Sequence, residues 1–162
     1  ISSIDAASHQ VVDTTETAAR PRHVEFTADG RQLWIAAEMG GVGQIADPAT
    51  RAITATITFA PPGVQPIRVM PCGIRFTPDG RKAIVALGRA NHIAIVDVAS
   101  HAVEAYVKVG QRPWHLAITP DGARAVVANG ISDDVSVVDL NTRTVTATIP
   151  GGAGPWGVAI AP

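Results

Sequence analysis

The sequence has few of the residues that would mark an obvious chemical site. Its one cysteine, Cys72, excludes a disulfide within the chain and leaves the cellular compartment undecided. Aromatic residues make up only 4% of the 162 residues, and no run approaches 18 consecutive apolar residues, so we expect no membrane-spanning segment. The chain has neither an initiator methionine nor a signal peptide, and we therefore expect a fragment or a processed chain.

Charge and short motifs are equally sparse. The net charge is −1 and the basic residues are scattered, which argues against a nucleic-acid partner. The sequence contains no Gly-x-Ser-x-Gly, no His-Glu-x-x-His and no paired spacing typical of zinc ligands. Its glycine-rich segments, 40–43 and 150–155, lack the Lys-Ser/Thr of a phosphate-binding loop. These absences favour a non-enzymatic protein, although they leave enzymatic activity open.

What the sequence does contain is a repeat. Residues 113–122 (Pro-Trp-His-Leu-Ala-Ile-Thr-Pro-Asp-Gly) have a counterpart 42 residues earlier, at 71–80, and another 42 residues later, from Pro155. A fourth copy, at 21–30, precedes the second by 50 residues, which indicates an eight-residue insertion. A period near 40 residues predicts a repeat architecture, and insertions in such proteins map to loops on one face.

Each repeat predicts four short strands, which we call a to d. An alternating apolar strand a leads into a Thr-Ala-Asp-Gly or Thr-Pro-Asp-Gly turn, where aspartate hydrogen-bonds back to the chain and glycine takes positive φ. Three further β-rich runs follow without helical periodicity. Four antiparallel strands in about 42 residues are typical of a β-propeller blade. The sequence therefore predicts an all-β propeller.

The repeats divide the chain into one partial propeller domain, 1–162. Residues 1–19 are predicted to form strands c and d of a half blade, followed by blades at 20–70 (which carries the insertion), 71–112 and 113–154, and by a lone strand a at 155–162. These fifteen strands make about 3.75 blades, fewer than most propellers need to close. We therefore expect missing blades, supplied by an absent N-terminal portion or by a second chain, and possible association through open blade faces.

A resemblance to known repeats becomes specific in the last blade. Residues 126–129 (Val-Val-Ala-Asn), 132–139 (Ser-Asp-Asp-Val-Ser-Val-Val-Asp) and 147–149 (Ala-Thr-Ile) resemble the YVTN-type propeller repeat, with Val126 in place of tyrosine. Residues 73–80, 109–117 and 155–158 are similar to propeller proteins associated with pyrroloquinoline-quinone-dependent alcohol catabolism. This resemblance implies a periplasmic or extracellular protein of about seven blades, of which the chain is the C-terminal half. It implies no catalytic residues.

Propeller topology predicts which side chains can meet. With strand a innermost, the residues that open each repeat surround one mouth of the central channel, together with the b-to-c loops and the insertion. The histidines could ligate a metal or shuttle protons, and the tryptophans could form a rim that stacks on a planar ligand or packs between blades. The candidate ligand- or partner-binding residues at this mouth are Arg22, His23, Cys72, Trp114, His115, Trp156, Arg68 and Met70.

Several functions remain open at this stage. The first hypothesis is a non-enzymatic binding or scaffold protein, working in the periplasm beside a quinone-dependent oxidoreductase; the quinone and periplasmic elements come from the resemblance alone. No cofactor is predicted, but a redox propeller that uses His23 and His115 to hold a metal, haem or pyrroloquinoline quinone is an alternative. A propeller lactonase would require acidic and histidine residues that converge at the mouth, for which Glu38 and Asp133 are candidates. A surface-layer protein also fits this repeat class.

Overall fold

The strands of the protein form three four-stranded blades and one two-stranded sheet. A computed structural model describes residues 1–161. Every paired strand is antiparallel to its neighbour, and each blade is a meander of consecutive strands, as predicted. The two-stranded sheet comprises β1 (Ser2–Ile4) and β2 (Val11–Thr14); blade 1 comprises β3 (Pro21–Phe26), β4 (Leu33–Ala37), β5 (Val42–Ala46) and β6 (Ile53–Thr58); blade 2 comprises β7 (Pro71–Phe76), β8 (Lys82–Leu87), β9 (His92–Asp97) and β10 (Val103–Lys108); blade 3 comprises β11 (Pro113–Ile118), β12 (Arg124–Asn129), β13 (Asp134–Asp139) and β14 (Thr144–Pro150).

Helical structure is confined to two short turns in the described part of the chain. Three-residue 3₁₀ turns occupy Pro66–Arg68, inside the 59–70 loop that contains the insertion, and Gly88–Ala90, between β8 and β9. Neither turn is long and apolar enough to cross a membrane.

The turns after strand a follow the predicted chemistry. Gly30, Gly80 and Gly122 have φ of 68°, 69° and 70°, a region that a residue with a Cβ rarely adopts. In the first of these turns the Asp29 carboxylate accepts hydrogen bonds from the Thr27 hydroxyl at 2.7 Å and from the backbone N–H of Arg31 at 3.0 Å. These bonds lower the pKa of Asp29, since they stabilise its ionised form.

The core lies between the blades rather than within them. Strand β8 is buried on both faces: Val85 and Leu87 pack toward blade 1, and Ile84 and Ala86 pack toward blade 3. Trp34 of blade 1 meets Phe76 of blade 2 edge-to-face, with ring centroids 5.4 Å apart. Because each blade buries its faces against its neighbours, the innermost strands β3, β7 and β11 are held side by side around the channel.

The segment 155–162, predicted as a lone strand a, differs from the innermost strands of the three blades over the residues that the structure describes. Residues 155–161 form no strand, whereas β3, β7 and β11 each pair with the strand b that follows them. A strand exists only through its ladder of hydrogen bonds, and no described strand pairs with this segment. The structure therefore has fourteen strands in its described part instead of the fifteen expected.

Candidate functional site

A β-bulge opens each innermost strand at the channel mouth. The register against strand b shifts between Pro21 and His23 in blade 1 and between Pro113 and His115 in blade 3, which leaves Arg22 and Trp114 as the extra residues. Blade 2 has a comparable irregularity between Pro71 and Ile74. A bulge re-aims the side chain of its extra residue, so the same local device directs an arginine and a tryptophan into one cavity.

The cavity at this mouth gathers most of the predicted residues. It has a volume of about 360 Å³, and six of the eight candidates line it together with Arg20 and Pro21. Met70 lies just behind it, where its carbonyl oxygen accepts a hydrogen bond from the Cys72 thiol at 3.2 Å. Arg68 is not among the lining residues and belongs to a separate pocket beside the insertion. The candidates that line the mouth are Arg22, His23, Cys72, Trp114, His115 and Trp156.

A buried carboxylate organises the mouth. The Glu38 side chain is 1% exposed and faces three guanidinium groups, which we call the arginine cluster. Arg22 Nη1 donates to Glu38 Oε2 at 3.0 Å, Arg112 Nη2 donates to Oε1 at 3.0 Å, and Arg20 Nε lies 3.2 Å from Oε2. Three cations around one anion leave the cluster with a net positive charge and with guanidinium N–H groups that Glu38 does not use.

The sequence did not identify Arg20 or Arg112 as site residues, and it indicated Glu38 only as a candidate acidic residue of a lactonase. The two arginines occupy equivalent positions, immediately before Pro21 and Pro113, and both have a left-handed backbone with φ of 57° and 60°. Such conformations are uncommon for residues other than glycine and cluster at functional sites. The shared position before each proline was the one signal in the sequence that could have identified them.

The position of Glu38 is occupied by glycine in the other two blades. At the equivalent residue Gly130, an added Cβ would lie 2.3 Å from Trp114 Nε1, and at Gly88 it would lie 2.7 Å from the Met70 carbonyl oxygen. Blade 1 has Arg22 in place of Trp114, so no indole ring occupies this point. The room left in blade 1 therefore admits the glutamate on which the arginine cluster depends.

Two tryptophans and two arginines form a stack at the rim. The Trp114 and Trp156 rings lie 4.7 Å apart with an interplanar angle of 24°. The Arg22 guanidinium carbon lies 4.5 Å from the Trp114 centroid and 4.8 Å from that of Trp156, and Arg112 lies 4.3 Å from Trp114. Cation–π contacts of this kind fix the guanidinium planes, while Trp156 remains 58% exposed.

A second polar group lies deeper along the channel wall. His23 Nε2 is 3.1 Å from Glu25 Oε2, and Arg75 of blade 2 donates to the same carboxylate oxygen at 2.7 Å and lies 3.0 Å from His23 Nε2. The His115 ring meets the His23 ring edge-to-face with centroids 4.9 Å apart. Gly73 is the residue of blade 2 that is equivalent to these two histidines. Because it has no side chain, the imidazoles of blades 1 and 3 can meet across blade 2.

Both imidazoles are held in the neutral form near pH 7. Burial lowers the pKa of His23 most, and the Arg75 cation lowers it further, against the opposing effect of the Glu25 hydrogen bond. Burial also lowers the pKa of His115, with Arg75 and His23 acting in the same direction. A neutral imidazole can accept a proton from water, which is the requirement for a general base.

The stability of the protein should fall as the pH drops below about 6.5, the ordinary pKa of histidine. Both folded-state pKa values lie below the unfolded-state value, so the unfolded chain binds more protons in this range and the free energy of unfolding decreases. The loss should be complete below the folded-state values. Urea unfolding between pH 7 and pH 5 measures it. A double variant, His23→Asn with His115→Asn, should flatten this part of the curve, and an unchanged slope would contradict the assignment.

The mouth offers no thiol nucleophile. Cys72 is buried, and burial together with the nearby Glu38 carboxylate raises the pKa of its thiol to about 11. A thiolate is the reactive form of cysteine, and this environment disfavours it. Among residues 1–161, no group of three or more His, Cys, Asp or Glu side chains is arranged to hold a metal ion. The polar side chains at the mouth present imidazole, carboxylate and guanidinium groups.

Comparisons with known proteins agree with this architecture. The family described as "Lactonase, 7-bladed beta-propeller" matches residues 3–149. Among solved structures, the chain is similar to hydrazine synthase from Kuenenia stuttgartiensis (25% identity, TM-score 0.79, covering 92% of this chain and 41% of that one). It is also similar to the periplasmic gluconolactonase of Pseudomonas aeruginosa (26% identity, TM-score 0.73, covering 90% and 44%). A search of curated proteins finds no match.

The chain spans less than half the length of these two proteins. The family match nevertheless covers most of its residues, including all three blades up to Ile149. The chain therefore belongs to the lactonase family of seven-bladed β-propellers and forms part of such a propeller.

Proposed function

We propose that the channel mouth binds and hydrolyses a lactone, as part of a propeller lactonase. The observation that carries the proposal is the convergence of two neutral histidines and an arginine cluster on one cavity, within a chain of the lactonase family. The similarity to a gluconolactonase supports a sugar lactone as the substrate class. These findings favour the lactonase alternative over a non-enzymatic scaffold protein.

His115 is the better placed general base of the two histidines. The His23 ring is engaged by Glu25 and Arg75, whereas the His115 ring has no hydrogen-bonded side-chain partner among residues 1–161. In the proposed reaction a water oxygen attacks the lactone carbonyl carbon while His115 takes a proton from that water. Burial, together with the nearby Arg75 cation and His23, lowers the pKa of His115 and so favours its neutral form.

Arg22 is suited to stabilise the negative charge that forms on the carbonyl oxygen. Its guanidinium is fixed by Glu38 on one side and by the tryptophan stack on the other, and a preorganised cation requires little rearrangement when the oxyanion appears. Collapse of the tetrahedral intermediate breaks the bond from the carbonyl carbon to the ring oxygen, and the imidazolium of His115 returns the proton to that oxygen. The product is a hydroxy acid, whose carboxylate also favours the positive mouth.

Hydrolysis of glucono-δ-lactone, followed by the acid released, tests this proposal. His115→Gln should lower kcat about 10²-fold, the usual range for loss of a general base, with little change in KM. His9→Asn is the matched control, since His9 lies in an exposed turn with a left-handed φ of 58° that asparagine accepts. If the two variants hydrolyse the lactone equally fast, or if the parent protein gives no rate above the buffer, the proposal is wrong.

The similarity to the gluconolactonase also supports a proposal for the cellular location. The P. aeruginosa relative is described as periplasmic, which supports a periplasmic location for the protein that contains this chain. Binding of pyrroloquinoline quinone, haem or an oxidoreductase partner stays a prediction from sequence, as does association through open blade faces.

A further inference from the structure

A second concave site lies beside the insertion, outside the channel mouth. We call it the insertion pocket, and its volume is about 320 Å³. The insertion forms one wall with Pro62, Gly63 and Arg68, while blade 2 supplies Arg89 and Lys108. No aspartate or glutamate lines it. Three cations from three separate segments therefore face one cavity without an anion in its walls.

This arrangement differs from the rest of the described chain, where every lysine and arginine except Arg124 forms an ion pair with a carboxylate. The protein has 13 lysines and arginines, and nine of them form ion pairs with carboxylates within residues 1–161. Of the four others, three line the insertion pocket, and the fourth, Arg124, begins β12. The pockets on the opposite face also contain cations, but there Lys82 is paired with Asp97 and Glu104. The clustering of unpaired cations in one cavity indicates a site for an anion.

The walls of the insertion pocket are held in place before any ligand arrives. The backbone N–H of Ala60 donates to Tyr106 Oη at 2.7 Å, and buried Phe59 and Val69 anchor the two ends of the insertion in the core. The turn around Pro66–Arg68 is closed by a hydrogen bond from Arg68 N–H to the Gln65 carbonyl at 2.9 Å. A preorganised loop loses little entropy on binding.

The opposite wall is equally fixed. Asn91 has a left-handed backbone with φ of 58°, its carbonyl accepts a hydrogen bond from Val109 N–H at 3.0 Å, and its side-chain oxygen accepts one from Arg112 N–H at 3.0 Å. His92 Nδ1 lies 2.6 Å from the Ala90 carbonyl oxygen, so Nδ1 carries the proton and Nε2 is the ring nitrogen available to a ligand.

We propose that the insertion pocket binds a compact dianion of the phosphate type. Guanidinium and ammonium groups converging from separate segments match the tetrahedral distribution of oxygens on such an anion, and their donors form charge-assisted hydrogen bonds. The site is separate from the proposed lactone site and does not depend on lactonase activity.

Titration with inorganic phosphate, at an ionic strength held constant with sodium chloride, tests the proposal. Isothermal calorimetry should show saturable binding, and Arg68→Gln or Arg89→Gln should each weaken it about tenfold, the usual effect of removing a charge-assisted hydrogen bond. Lys108→Gln gives a third, independent variant. Arg124→Gln removes the remaining unpaired cation and should leave the affinity unchanged.

Two further arms identify the site and the source of the phosphate group. Arg20→Gln alters the arginine cluster and should not change phosphate binding; if it abolishes binding while Arg68→Gln does not, the ligand occupies the mouth and the proposal is overturned. Vesicles of phosphatidylcholine with phosphatidic acid test a lipid source. If the protein sediments with these vesicles but does not bind free phosphate, the proposal is also overturned. The same holds if the pocket variants bind phosphate as tightly as the control Arg124→Gln does.

Discussion

Replacing Glu38 by alanine should destabilise the folded protein by about 3–5 kcal/mol, the range found when one member of a buried ion pair is removed. Arg112 and Arg22 are only 11% and 19% exposed, so water cannot replace the lost carboxylate. Their guanidinium groups would repel each other with no anion between them. Urea unfolding at pH 7 gives the loss of stability, and the same variant should bind lactone poorly because Arg22 loses its fixed position.

Glu104→Ala is the matched control for this prediction. Glu104 also contacts two cations, Lys82 and Arg143, but it lies on the surface, where ion pairs contribute about 0–1 kcal/mol. The difference between the two variants isolates the effect of burial. Equal and small losses in both would show that the arginine cluster contributes no more than a surface pair.

Replacing Gly73 by alanine should destabilise the protein by about 2–3 kcal/mol, the cost of overpacking a tight contact. The new Cβ would lie 2.9 Å from the Trp114 carbonyl oxygen and 3.0 Å from His115 Cα. Both are backbone atoms, which cannot rotate away, so β7 and β11 must separate. The His23 and His115 rings would then lose their contact, and the nuclear Overhauser effect between the two imidazoles should disappear.

Gly157→Ala tests whether the effect belongs to the close approach of the strands. Gly157 holds the equivalent position in the next repeat, and a Cβ there would have no neighbour within 4 Å. At such a site the change from glycine to alanine should be neutral or slightly stabilising. If Gly73→Ala unfolds at the same urea concentration as Gly157→Ala, the assigned contact between blades 2 and 3 is wrong.

Much of the fold was determined by local chemistry that the sequence displays directly. The Asp-Gly turns form as predicted because aspartate and glycine favour that conformation wherever they occur together. The proline-led repeat predicted four-stranded blades, since each blade repeats one pattern of short strands and turns. The same register placed Arg22, His23, Trp114 and His115 at one mouth, because equivalent residues of a propeller surround one axis.

The tertiary structure alone decided how those residues interact. Arg20 and Arg112 are 92 residues apart, and only the packing of three blades brings both to Glu38. The insertion folds through a 3₁₀ turn, which places Arg68 in its own pocket instead of at the mouth. Residues 155–161 carry the pattern of a strand but form none, because a strand depends on a partner that propensity cannot supply. Sequence periodicity determined the blades and their order, whereas contacts between blades, which periodicity does not encode, determined the charge and shape of the site.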